Sequence, residues 1–239
     1  MITLALDTAT DRCTVAATDG TRVVERHLDG ARQHARSVLG LTDELLAELG
    51  ATPRDITRML TADGPGSFTG LRVAASVGKG LAWAGQIEWH IAPSLLVRAA
   101  AHVPAGGGVV LALSDALRGD LYAGCWRIAN GRVEAVGDAP RARNPASLAE
   151  FGAVDVVVGS VPEPLRAAVE AATGRPLISG EAALPTARAL LALDALQGGT
   201  VRVVDVAVWE PEYGRPAEAQ AVWERKHGRP LPSPPGIAR

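Results

Sequence analysis

The chain has 239 residues, 47% hydrophobic and 21% charged, with a formal net charge of −2. That length buries a large core as one domain or two small ones, and the charge excludes a bulk electrostatic grip on nucleic acid. No apolar run is long enough to span a bilayer and no basic leader precedes the first strand, so no membrane association and a cytoplasmic location are expected.

Residues 2–6 are an apolar run ending at Asp7, followed by Thr8, Ala9 and Thr10. Residues 13–18 and 21–28 read as two further strands, joined at Asp19-Gly20, a type I′ hairpin signal. Val38, Leu39, Leu41, Leu45, Leu46 and Leu49 make residues 33–49 an amphipathic helix, stopped by Gly50. A helical turn starts at Pro53, and residues 56–62 lead as a strand into a glycine-rich loop. A helix over 71–84 comes next, then a strand over 87–91 and a helix from Pro93-Ser94 to about Val103. Residues 104–108 (PAGGG) are the best linker in the chain.

Beyond that linker the chain resembles its own beginning. Residues 109–113 are an apolar run ending at Ser114-Asp115, 120–128 a strand with a cysteine, Asn130-Gly131 a second hairpin turn, and 133–136 a third strand. The stretches LALDTATDRCTVAATDG and LALSDALRGDLYAGCWRIANG share this order. A repeated meander-plus-helices unit predicts two similar α/β domains, over 1–104 and 109–228. Residues 154–158 read as a buried strand, and 164–173 and 185–197 as helices. The tail, 229–239, is Pro-rich and expected to be disordered.

The stretch DGPGSFTGLRVAASVGKGLAWAG, residues 63–85, organises the chain. Gly64, Pro65 and Gly66 allow a tight backbone path, and Ser67 or Thr69 can cap the next helix. The spacing is not that of a P-loop, since no Lys-Ser or Lys-Thr closes it. A phosphate cradle and a well-capped strand-to-helix turn both fit it. In the helix, Leu71, Ala74, Ala75, Gly78, Leu81 and Ala82 form an apolar, nearly flat face. Such a face suits either the protein's own sheet or another subunit.

Cys13 and Cys125 are the only cysteines, too few for a disulfide framework and not spaced for zinc; two buried free thiols are expected. The five histidines, His27, His34, His90, His102 and His227, include no i, i+4 pair, so no metal site is expected. No G-x-S-x-G or activated-cysteine signature is present. Asp7 with Thr8 and Thr10 either closes its own hairpin or handles phosphate, together with Gly66 and Ser67.

The run GPGSFTGLR (64–72) resembles the signature of the bacterial TsaB (YeaZ) family of tRNA threonylcarbamoyladenosine biosynthesis proteins. Asp7-Thr8-Ala9-Thr10, residues 33–46, and DALRGDLY (115–122) resemble further elements of that family, and PEYGR (211–215) its closing motif. Leu117 stands where Arg is usual, Asp120 for Glu and Gly214 for Leu. The resemblance implies two tandem actin, sugar-kinase and Hsp70-like (ribonuclease H-like) domains. It implies a non-catalytic subunit that is the dimerisation partner of a TsaD-type subunit, which transfers a threonylcarbamoyl group to the adenosine next to the anticodon of tRNAs. A TsaE-type ATPase joins the assembly, tRNA is reached only indirectly, and ATP or ADP only within the complex. The TsaD type carries an HxxxH metal pair on its first helix, where this chain has His34 alone. The implied contact is a four-helix bundle, placing His34, Val38, Leu41, Leu45, Leu71, Ala74, Ala75, Gly78, Leu81 and Ala82 at the interface; alone, the protein would pair with itself through the same face. The competing functions are an autonomous ATP-dependent phosphotransferase and a glycoprotease-like peptidase.

Overall fold

The computed structural model describes residues 1–30, 34–85, 87–214 and 226–227. The Pro-rich tail and Arg215 of the closing motif lie outside the described residues. The first half begins with a meander of β1 (Ile2–Asp7), β2 (Arg12–Thr18) and β3 (Val23–Asp29). Helix α1 (His34–Leu49), a 3₁₀ turn at Pro53–Asp55, β4 (Ile56–Ala62), α2 (Phe68–Ala84), β5 (Glu88–Ala92) and α3 (Ser94–Ala100) complete it. The second half has β6 (Gly108–Leu117), β7 (Asp120–Ala129), β8 (Arg132–Ala135) and β9 (Arg141–Arg143). It continues with a 3₁₀ helix (Pro145–Phe151), β10 (Val156–Ser160), α4 (Glu163–Thr173), β11 (Leu177–Ile178), α5 (Ala187–Asp194) and β12 (Val201–Arg202).

The repeat read from the sequence is a repeat of topology. The first sheet runs β12-β5-β4-β1-β2-β3 and the second β11-β10-β6-β7-β8, with β9 on β7. In each, a three-stranded antiparallel meander meets two parallel strands through its first strand. The fold is α/β with two tandem ribonuclease H-like sheets.

Strand alternation distributes the core among layers. On the outer face of the first sheet, Leu4, Leu6 and Met59 meet Leu45, Leu46 and Ala74 from α1 and α2. On the outer face of the second, Leu111, Leu113 and Leu121 meet Leu148, Phe151 and Val169. Between the sheets, the inward positions of the first sheet are mostly small (Ala5, Ala16, Ala62, Ala92) while the second turns Tyr122, Trp126 and Ile128 inward, and Leu95 and Leu96 of α3 and Leu190 and Leu193 of α5 fill the space between. These helices cross over: α3 packs on β6 and β7, whereas α5 packs on β1, β2 and β4. A boundary at 104–109 therefore separates the sheets but not the helices packed on them.

Several local readings change. Asn130-Gly131 is the expected two-residue turn, both residues having positive φ (52° and 74°). Asp19-Gly20 is not: only Gly20 is left-handed (φ 92°), and four residues separate β2 from β3. There the Asp19 carboxylate accepts from the amides of Thr21 and Arg22, holding a wider loop. Helix α3 ends at Ala100 rather than near Val103, and α5 covers only the middle of the predicted 185–197.

The flat face of α2 has a specific neighbour. A Cβ at Gly78 would lie 2.6 Å from ring atoms of Trp89 on β5, whereas one at Gly80 would meet nothing within 4 Å. Gly78→Ala should therefore lose about 1–3 kcal/mol of stability through overpacking. Gly80→Ala should gain up to about 1 kcal/mol from helix propensity. Urea unfolding of both variants checks the pair; equal effects would contradict the packing assigned to Gly78.

Candidate functional site

The glycine loop folds against the end of β1. Ser67 caps α2, its hydroxyl accepting from the Gly70 amide at 3.2 Å. The Ser67 amide donates to the Ala9 carbonyl at 2.7 Å, and the Thr8 hydroxyl donates to the Gly70 carbonyl at 2.7 Å. A Cβ at Gly66 would sit 2.4 Å from the Ala9 oxygen, and one at Gly70 only 1.8 Å from that of Thr8. The Gly64 amide donates to the Ser94 hydroxyl. These glycines thus let two backbones touch, and the amides of Gly64, Ser67 and Gly70 are answered within the chain.

The predicted loop residues Asp7, Thr8, Thr10, Gly66 and Ser67 are brought together, with Asp7 and Thr8 buried. Asp7 Oδ1 accepts from the Ala9 amide at 2.8 Å, closing the hairpin, and the Thr10 hydroxyl accepts from the Arg12 amide. The Asp7 charge also acts on buried Arg98, whose guanidinium donates to the Leu113 carbonyl of the second sheet. Burial lowers the Arg98 pKa to about 10, and the Asp7 charge opposes that shift.

The predicted interface residues separate into two groups. Val38, Leu45, Leu71, Ala74, Ala75 and Gly78 are buried within the protein itself, and Leu41 and Leu81 pack against its outer core. Ala82 is partly buried, and His34 opens α1. The middle of the flat α2 face packs on the sheet, where Gly78 lets Trp89 close over it. What α1 and α2 leave open is a groove of about 290 Å³. Ala35, Val38 and Leu39 line one wall, and Thr69, Arg72, Val73, Ser76 and Val77 the other. Leu39 is 60% exposed. The signal was in the helical wheel: Val38, Leu45 and Leu49 fall on one stripe, and Leu39 lies about 100° off it.

Sequence reasoning left the segment after residue 200 unplaced. It returns to the first sheet: β12 pairs with β5, and the Trp209 ring meets that of Trp89 at 4.5 Å, edge-on. Glu210 pairs with Lys79 at 3.2 Å. The Glu212 amide donates to the Asp63 carbonyl, and a Cβ on Gly64 would collide with the Glu212 oxygen at 1.8 Å. Tyr213 stacks on Phe68 at 4.6 Å. Gly214 has φ 71°, and its Cβ position lies 2.8 Å from Pro65 and 3.0 Å from Tyr122. A side chain at this position would be strained by the left-handed backbone and would crowd Pro65 and Tyr122. Residues 211–214 form a strap joining the glycine loop to β7.

Both cysteines are buried free thiols, pushed up to about 11 by burial, so neither is poised as a nucleophile. Among the described residues no group of three or more His, Cys, Asp or Glu is placed to hold a metal. No helix among them is long and apolar enough to cross a membrane.

Two tandem ribonuclease H-like sheets, a glycine loop packed on the first hairpin and an open groove between α1 and α2 define this α/β protein. Residues 28–151 match the family model described as TsaD, tRNA N6-adenosine threonylcarbamoyltransferase. The TsaB protein of Escherichia coli (strain K12) is 34% identical over 122 residues, covering 50% of this chain and 52% of that one. TsaB of Bacillus subtilis (strain 168) is 30% identical over 137 residues, covering 57% and 59%. These matches thus span little more than half the length of the curated relatives. The solved structure of YeaZ from Pseudomonas aeruginosa is 28% identical with a TM-score of 0.72, covering 89% of this chain and 99% of that one. The chain belongs to the TsaD family, in its TsaB (YeaZ) branch.

Asp63, at the base of the strap, supplies a pH test. Burial, and then the Glu212 charge, push its carboxyl up to about 7 from 3.8. The folded chain then holds a proton that the unfolded chain has released, so this group's contribution falls as pH rises from about 4 to 7. Asp63→Asn, which keeps the neutral shape, should gain stability relative to wild type as pH rises across that window. Urea unfolding across the window reads this; a constant difference would contradict it.

Proposed function

We propose that this chain is a non-catalytic scaffold subunit in the biosynthesis of threonylcarbamoyladenosine in tRNA. In this reading it docks through the α1–α2 groove onto a TsaD-type subunit, which transfers the threonylcarbamoyl group to the adenosine next to the anticodon. A TsaE-type ATPase joins the assembly, tRNA is reached through the complex, and ATP or ADP enters only there. Without its partner the chain pairs with itself through the same groove.

The observation that carries this reading is the groove. Leu39 stands out of the core at 60% exposure beside a trough walled by Ala35, Val73 and Val77. A large apolar side chain held at the edge of an apolar trough favours a protein contact. The chemistry inside the chain supports a non-catalytic role. An autonomous phosphotransferase needs Asp7 and the loop amides to reach phosphate. Asp7 is buried against its own hairpin, and the Ser67 and Gly70 amides already have acceptors. Four residues after His34, where a second metal ligand of an HxxxH pair would stand, Val38 is buried in the outer core.

The test is co-purification with the TsaD-type protein of the same genome. Wild type should form a complex at micromolar concentration. Leu39→Asp should weaken it at least ~10-fold, since burying a leucine contributes about 1.5–3 kcal/mol, without lowering the melting temperature. A wild type that forms no complex would refute the scaffold reading.

A further inference from the structure

Among the described residues the α1–α2 groove is lined almost entirely by apolar and small polar side chains, with Arg72 the one charged residue in that lining. The Arg72 guanidinium lies 4.4 Å over the Phe68 ring and 5.9 Å from the Tyr213 ring. Its Nε donates to the Tyr213 hydroxyl at 3.3 Å. That hydroxyl donates in turn to Glu210, whose carboxylate pairs with Lys79. No carboxylate among the described residues forms an ion pair with Arg72 itself. The strap and α2 together hold the cation, and among the described residues no hydrogen bond or ion pair engages its terminal nitrogens.

This arrangement constrains what can cover the groove. A purely apolar helix seated there would strip water from a fixed cation and offer no hydrogen bond in exchange, which is costly. A carboxylate would meet the planar fork with two parallel hydrogen bonds, and the stacking on Phe68 and Tyr213 has already offset much of the ordering entropy. We propose that the helix seated in the groove carries an Asp or Glu that pairs with Arg72, and that Tyr213 is the positioning residue for that contact. This rests on the docking reading above and adds the chemistry of the partner: an amphipathic helix with one carboxylate beside its apolar stripe.

Isothermal titration of the TsaD-type protein of the same genome into wild type and variants, at low and high salt, tests it. Arg72→Met keeps the length and removes the charge; it should weaken binding ~10- to 100-fold and flatten the salt dependence. Arg72→Lys should recover part of the affinity, and Tyr213→Phe should lose less than Arg72→Met. Unfolding curves run beside them should show the Arg72 variants folded as wild type. Arg72→Met binding like wild type, with the same salt dependence, would overturn the inference. If Leu39→Asp still blocks binding in that case, only the carboxylate contact fails; if it too is without effect, the docking reading fails as well. Self-association of wild type that Arg72→Met abolishes, with no binding to the TsaD-type protein, would assign the carboxylate to a second copy and overturn the partner chosen here.

Discussion

The structure depends on backbone meeting backbone where β1 ends and α2 begins. Gly66 and Gly70 let this loop lie directly on Ala9 and Thr8, with the Ser67 amide and the Thr8 hydroxyl closing the contact. Any Cβ there would push the start of α2 away from the sheet. Eight residues further on, Gly78 plays the same part against Trp89. Helix α2 is thereby drawn close to the sheet, and its outer surface, beside α1, becomes the wall of the groove.

Much of this was legible in the sequence. Apolar runs, hairpin dipeptides and the repeated order of strand, acidic turn and cysteine-bearing strand pointed to two similar sheets, and both sheets share one topology. That Ser67 or Thr69 caps α2 was also legible, because a capping hydroxyl is a local feature; the structure selects Ser67. The destination of a flat Gly/Ala face was not. Packing on Trp89 and packing on a partner demand the same small residues, and only the long-range placement of β5 decides between them. The two- and three-residue strands β9, β11 and β12 carry too little periodicity to be read. Asp19-Gly20 and Asn130-Gly131 look alike as dipeptides, yet only the second takes both left-handed positions.

The C-terminal strap changes how the two halves relate. It crosses from the glycine loop to Tyr122 on β7, while α5 leaves the second sheet to pack on the first. With Arg98 reaching the Leu113 carbonyl from α3, the halves are joined at several points. Asp7 closes the first hairpin and Thr8 fastens the glycine loop to it.

Hydrogen–deuterium exchange on the protein with and without the TsaD-type subunit of its own genome puts docking through the groove to its most direct test. Docking there predicts new protection in peptides spanning the first turns of α1 and the N-terminal half of α2, with the inter-sheet helices α3 and α5 unchanged. Protection confined to the hairpin at residues 7–10 and the strap, with α1 and α2 unaffected, would place the functional surface at that hairpin and contradict it.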